Sequence, residues 1–498
     1  MVVSPGLNVL SGIDFWFPIS KTTPVLAAAT AAESSSIVLA SVLLSLVIVY
    51  FASKLGGEIC ARLNLPSVLG ELVAGVLVGV SALHLLVFPG GGIDASSSLM
   101  MQMVQMSAQL SSEGLTAVFQ SQSEVISVLA EIGVVILLFE IGLESDLKEL
   151  IRVGPQAAIV AVVGVVTPFT LGTVGLMLLF KVAAIPAIFA GAALTATSIG
   201  ITARVLAEIQ QLASKEGQII IGAAVLDDVL GIIVLAVVAG LAKTGEVQVG
   251  NVVFLVVSAV VFLVGSIWLG RLLSPFFVIL VNELRTRGQL LITALIFAFL
   301  LSYVAAVIQL EAILGAFAAG LILAETEKRK ELEAQVKPIA DMLVPIFFVV
   351  VGARTDVSVL NPFVPENREG LIMSAFLVVV AIVGKVITGF TLFGQSPLNR
   401  WAIGIGMIPR GEVGLVFAAI GASSGVLSDS LQAAIIVMVI LTTFVAPPLL
   451  RVAFSNQAAP IALSEEAAIL DASALVDAVD DGLVTETTLV EDKQTASE

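Results

Sequence analysis

The chain has 498 residues, of which 58% are hydrophobic and 12% charged, with a mean hydropathy of +1.09. No water-soluble fold hides that much apolar surface, and the recurring apolar runs of about 20 residues match the hydrocarbon thickness of a bilayer. Such runs must satisfy their own backbone polar groups in lipid, so they are read as helices, and the fold class as an all-α polytopic membrane protein.

The net charge of −16 says little about partners. Much of it lies after Ala459, where ten acidic residues face a single Lys493. No nucleic-acid partner is expected. One cysteine, Cys60, excludes an internal disulfide and a cysteine metal cluster, and the one histidine, His84, is read as interfacial.

In chain order, residues 1–36 read as an extracytoplasmic N-terminal segment. "VLAAATAAESSS" has the small residues of a cleavage region, but Asp14 and Pro18 break the apolar stretch before it, which argues against a signal peptide. The membrane domain is placed at 37–456. Hydropathy gives thirteen spans, near 37–55, 66–87, 124–144, 154–180, 184–209, 217–242, 250–273, 288–309, 311–325, 339–357, 370–394, 400–424 and 428–452. A Met-rich, uncharged stretch at 99–106 separates the second and third spans. It reads as a connecting insertion, with an interfacial helix or subunit contact as the other reading. Residues 457–498 read as an acidic, disordered cytoplasmic tail.

Basic residues orient the spans. Lys54, Arg62, Lys148, Arg152, Arg204, Lys215 and the 328–330 cluster all follow odd-numbered spans. The other side holds Lys21, Lys181, Lys243, Arg354 and Arg368. The bias places the N-terminus outside and the tail in the cytoplasm, and it favours an odd number of crossings.

Two distant stretches resemble each other. "ILLFEIGLESDL" (136–147) and "IFFVVVGARTDV" (346–357) pair Gly142 with Gly352 and Asp146 with Asp356, each 210 residues apart. Weaker similarity continues downstream, so the third to sixth spans correspond to the tenth to thirteenth. A shift of seven spans is odd, and the two copies therefore cross the membrane in opposite directions. Inverted repeats of this kind mark secondary transporters, with the ion site near the midplane. The fifth and twelfth spans are expected to be broken. "ALTATSIGIT" interrupts one with Thr, Ser and Gly, and "GMIPRGEVG" interrupts the other with Pro409 and Gly411.

The charges inside the spans carry the chemistry. Asp227 and Asp228 sit mid-way along the sixth span in "AAVLDDVLGII", and Lys385 sits mid-way along the eleventh. A charge at that depth costs about 2.5–3.5 kcal/mol on insertion scales and is by default functional. Adjacent helical residues point about 100° apart, so one aspartate can face a partner and the other a cavity. Lys385 is assigned to Asp227 as salt-bridge partner, and Asp228 is the main ligand for a metal cation, Na+. A buried carboxylate beside a second one holds either a proton or a hard cation. Competition at one carboxylate couples the two fluxes. The alternative, a triad that only fixes packing, is the weaker reading. Thr197 and Ser198 are candidate oxygen donors, and Arg410, Glu412 and Glu71 possible supporting residues.

"LPSVLGELVAGVLVG", "LTATSIGITARVL", "AAVLDDVLGII", "ILGAFAAGLILAET", "VPIFFVVVGARTDV" and "GMIPRGEVGLVFA" together resemble the monovalent cation:proton antiporter-2 family, over about residues 37–452. That family includes NapA-like sodium/proton exchangers and Kef-type potassium efflux systems. The resemblance implies an NhaA/NapA-like inverted repeat with two crossing broken helices, and a homodimer. It also implies a dimerisation or gate domain and a moving transport domain, here assigned about 124–242 and 339–452. Carried over residue by residue, it makes Asp228 the essential ion-binding carboxylate and pairs Asp227 with Lys385. It further implies electrogenic exchange, two protons for one sodium.

The expected function is secondary active Na+/H+ antiport by alternating access, in a bacterial inner membrane or a thylakoid-type membrane. A K+/H+ antiporter or a Kef-like K+ efflux system is the alternative. The chain is not expected to be an enzyme or to carry a cofactor; Na+ (or Li+ or K+) and H+ are its transported partners.

Overall fold

A computed structural model describes residues 24–89, 94–244, 249–284, 286–357, 365–392, 398–411, 414, 416–418, 421 and 425–455. The expected acidic tail, most of the N-terminal segment and Glu412 lie outside these. Among the described residues the regular elements are helices: α1 (Pro24–Arg62), α2 (Ser67–Val78), α3 (Leu99–Ala108), α4 (Ser112–Glu144), α5 (Leu147–Arg152), α6 (Gly154–Leu179), α7 (Ala184–Ala193), α8 (Ile199–Glu208), α9 (Lys215–Thr244), α10 (Val249–Glu283), α11 (Gln289–Val307), α12 (Ala312–Ala324), α13 (Arg329–Ala353), α14 (Pro365–Phe390), α15 (Arg400–Gly406) and α16 (Asp429–Phe454).

Eight of these helices are long and apolar enough to cross a bilayer: α1, α4, α6, α9, α11, α13, α14 and α16. Helices α2, α7, α12 and the Val252–Ser266 part of α10 are shorter apolar helices. Their outward faces are apolar as well. On α1, Leu39, Leu43, Val47, Phe51, Leu55 and Ile59 recur every four residues and are all more than half exposed. A stripe with that period on one helix face belongs against lipid or another apolar surface.

The structure departs from the hydropathy boundaries at several places. Helix α1 begins at Pro24, inside the segment read as an extramembrane N-terminus, because the alanine-rich stretch after Pro24 continues the helix without a breaker. The second span stops at Val78, followed by turns up to Pro89. The Met-rich stretch is more than a connection. Ser98 caps α3 through the Met101 N–H, and Met100 and Met101 are buried against Leu115, Val118 and Phe119 of α4.

The helices pack as two groups. In one, α4 lies on α12 and α13, and α2 lies on α1 and α13. Glycines let these backbones touch: a Cβ on Gly142 would stand 2.9 Å from the Cα of Gly320, and one on Gly75 2.9 Å from the Cα of Gly352. Small residues at such crossings are a common means of helix association in lipid. In the other group, α6 packs on α9, α14 and α7, and α14 on α16 and α15.

Candidate ion-binding site

Two interrupted helices meet inside the second group. Helix α7 ends at Ala193, residues 194–198 are non-helical, and α8 resumes at Ile199. Helix α15 ends at Gly406, and residues 407–411 are non-helical. Thr, Ser and Gly in one stretch and Pro409 in the other make continuous helix costly. The two breaks cross: the Ser198 N–H donates to the Pro409 carbonyl at 2.9 Å.

Unwinding frees carbonyls, and hydroxyls from other segments satisfy them. Thr202 donates to Gly406 O at 2.8 Å, Thr197 to Met407 O at 3.1 Å, and Thr443 of α16 to Arg410 O. The carbonyls of Gly406, Met407, Pro409 and Arg410 are therefore already engaged. The Ser198 hydroxyl is buried and has no hydrogen-bond partner among the described residues. Of the two candidate donors on the first break, Ser198 has its oxygen free, and Thr197 holds a backbone carbonyl. Ser198 is also the N-cap residue of α8, where the N–H groups point with the positive end of the helix dipole.

The charged residues converge on this crossing. Lys385 Nζ donates to Asp227 Oδ2 at 2.9 Å, and both side chains are fully buried. This is the pair assigned from the sequence, joining α9 to α14 across 158 residues. A buried ion pair persists only where good geometry offsets the desolvation of both ions. Asp228, one residue on, is 5% exposed. Arg410 is the largest fully buried side chain. Its Nη1 reaches Thr197 Oγ1 at 3.5 Å and Met407 O at 3.3 Å, and it interacts electrostatically with Asp227 and Lys385. Its Nε and Nη2 have no hydrogen-bond partner among the described residues.

Glu71 is not part of this cluster. It is buried on α2, where Ser53 of α1 donates to its Oε1 at 3.1 Å, so it joins two helices of the other group. Sequence reasoning missed Thr202 and Thr443. A hydroxyl in an apolar helix leaves no hydropathy signal; the broken partner helix, whose unwinding frees carbonyls, was the clue that such donors were needed.

Two buried carboxylates, a lysine, an arginine and an open hydroxyl at a double helix break can hold one small cation or exchange it for a proton. The family model described as "Sodium/hydrogen exchanger, transmembrane" matches residues 43–455. The chain belongs to the sodium/hydrogen exchanger family. It is 71% identical over 435 residues to the high-affinity Na+/H+ antiporter NhaS3 of Synechocystis, covering 87% of this chain and 94% of that protein. It is 32% identical over 412 residues to the Na+/H+-K+ antiporter GerN of Bacillus cereus, covering 82% and 95%. In fold it resembles the solved sodium proton antiporter MjNhaP1 of Methanocaldococcus jannaschii, with a TM-score of 0.54 at 15% identity over 85% of this chain and 97% of that one.

Proposed function

We propose that the chain exchanges sodium for protons across a membrane, with Asp228 as the carboxylate for which the two ions compete. The observation that carries this is the division between the paired aspartates. Asp227 is paired with Lys385 and fully buried, while Asp228, in the same charged cluster, is 5% exposed. Oxygen donors suit a hard cation, and protonation of the carboxylate removes its charge and releases the ion. Sodium is favoured over potassium by the high identity to a protein named as a Na+/H+ antiporter, although the name of the more distant Bacillus relative includes both ions.

The inverted repeat is supported beyond the spans where the sequence revealed it. Gly142 meets Gly320 and Gly352 meets Gly75 in like fashion, and the repeat exchanges the two contacts. Helices α2 (Ser67–Val78) and α12 (Ala312–Ala324) stand in the same places of the two copies, as do the ends of α1 and α11. The insertion that contains α3 accounts for the different interval in this part of the chain. Counted this way each copy has six spans, α10 links them, and thirteen crossings result.

The packing also refines the division into domains. Helices α4 and α13, assigned from sequence to the transport unit, pack mainly on α12, α2 and each other. We place them in a frame with α1, α2, α11 and α12, leaving α6–α9 and α14–α16 as the unit that moves. Alternating access is then motion of this unit against the frame, which we take to dimerise, with the N-terminus outside and the C-terminus in the cytoplasm of an energy-transducing membrane.

The test is reconstitution in liposomes loaded with a pH-sensitive dye, with the membrane potential clamped and sodium, lithium or potassium added in turn. Sodium should dissipate an imposed pH gradient in the unaltered protein, and Asp228→Asn should abolish this. Full exchange by Asp228→Asn would sink the site assignment.

A further inference from the structure

The Lys385 ammonium has three donors, and among the described residues one hydrogen bond engages it, to Asp227. Its side chain starts on α14 and ends on an aspartate of α9, and α6 packs against both helices. Where the ammonium passes α6, the residue is Gly164. A Cβ there would stand 3.1 Å from Lys385 Nζ, 3.5 Å from its Cδ and 3.4 Å from the methyl group of Thr388. That is tighter than most carbon contacts, so a side chain at 164 pushes the ammonium or its wall aside by a few tenths of an ångström.

A second feature of α6 addresses the same place. Pro168 lies inside α6, four residues after Gly164. In an α-helix the N–H of residue 168 would donate to the carbonyl of residue 164, and proline has no N–H to give. The Gly164 carbonyl thus lacks its helical donor at the point where the ammonium lies against the residue. The proline ring also packs on α14, because a Cβ on Gly384, next to Lys385, would stand 3.1 Å from Pro168 Cβ.

We propose that Gly164 and Pro168 are positioning residues for Lys385. Gly164 supplies the space that lets the ammonium reach Asp227, and Pro168 leaves the Gly164 carbonyl free as a second acceptor for it. A buried ammonium with a single acceptor is stranded whenever that acceptor moves away, and an unpaired buried charge is costly. With that carbonyl unclaimed by the helix, the ammonium has a second acceptor on offer while Asp227 shifts during the cycle. This rests on the reading of the Asp227–Lys385 pair as part of the exchange machinery.

The experiment is a double-mutant cycle. Gly164→Ala and Pro168→Ala are each made alone and together with Lys385→Gln. Melting temperature of the purified protein and the pH profile of sodium-driven exchange in liposomes are measured for each. With Lys385 present, Gly164→Ala should lower the melting temperature. In the Lys385→Gln protein the same change should be neutral or stabilising, since alanine is the better helix former. Pro168→Ala restores the N–H to the carbonyl, and should move the midpoint of the pH profile by about half a unit or more while leaving the melting temperature unchanged or higher.

Equal melting shifts in both backgrounds, with neither single variant moving the pH midpoint, would overturn the proposal and leave these residues a packing role only. The underlying reading fails separately, if Lys385→Gln alone changes neither melting nor the pH profile. Should Gly164→Ala not fold with Lys385 present but fold with Lys385→Gln, that difference is itself the expected coupling.

Discussion

The two halves of the second helix group differ in charge. The first half, α6 to α9, brings the anions Asp227 and Asp228 and the free hydroxyl of Ser198 to the crossing. The second half, α14 to α16 with α15, brings the cations Lys385 and Arg410 and the carbonyls of its break. Among the described residues the centre is balanced, two carboxylates against two fixed cations. The charges of one half are countered by those of the other, Asp227 by Lys385 and Arg410, which offsets the cost of burying them. In the proposed exchange the ion enters a site where Asp227 is already paired with Lys385. The backbone of the second half is served by the first in the same way: Thr197 and Thr202 donate to Met407 and Gly406, and Ser198 N–H to Pro409.

Removing one charge from one half should break this balance most severely. Lys385→Gln leaves Asp227 buried without its partner, and breaking a buried pair from one side costs about 3–5 kcal/mol. A marked fall in melting temperature is expected, measured by fluorescence-detected unfolding in detergent. Asp227→Asn added to Lys385→Gln should recover part of the loss, because no charge is then stranded. No recovery in the double variant would mean that the pair does not hold the halves together.

This balance was legible in the sequence to an unequal degree. Charges at mid-membrane depth are rare, so Asp227, Asp228, Lys385 and Arg410 identified themselves before any geometry was known, and Lys385 was assigned to the correct aspartate. The breaks were legible too, since Pro409 and the Thr-Ser-Gly run are local properties of the chain. Which apolar helix lies on which was not. Hydropathy measures transfer into lipid and is silent about partners, so it could not show that α4 and α13 pack mainly on α12, α2 and each other. Small residues that matter by leaving room, such as Gly164, and hydroxyls that matter by one bond, such as Thr443, also carry no hydropathy signal. Glu71 is a further buried acid, and its contact is with Ser53 on α1.

A smaller disturbance sharpens the role of the second cation. Arg410→Gln removes a fully buried guanidinium that reaches Thr197 and Met407. Hydrogen bonds involving a charged group contribute about 1.5–3 kcal/mol, so a loss of that size is expected, below that of Lys385→Gln. Arg410→Lys keeps the charge and loses the planar fork. If Arg410 acts by charge, the lysine variant should retain most of the sodium-driven exchange that the glutamine variant loses. If both lose it equally, the fork holding the two breaks is what matters.

The smallest expected effect tests whether the second half's backbone must be held from both sides. Thr202 and Thr197 come from the first half, but Thr443 comes from α16, and its hydroxyl donates to the carbonyl of Arg410 itself. Thr443→Val keeps the shape and removes that donor, and the net value of one such bond is about 1 kcal/mol. Exchange should persist, with the sodium concentration for half-maximal rate raised a few-fold, because the peptide that carries Arg410 is less firmly oriented. Thr443→Ser restores a hydroxyl and should return the value towards that of the unaltered protein. A valine variant with unchanged sodium dependence would mean that the first half alone fixes the second break. The charge-bearing peptide would then be held entirely by the first half and not by its own.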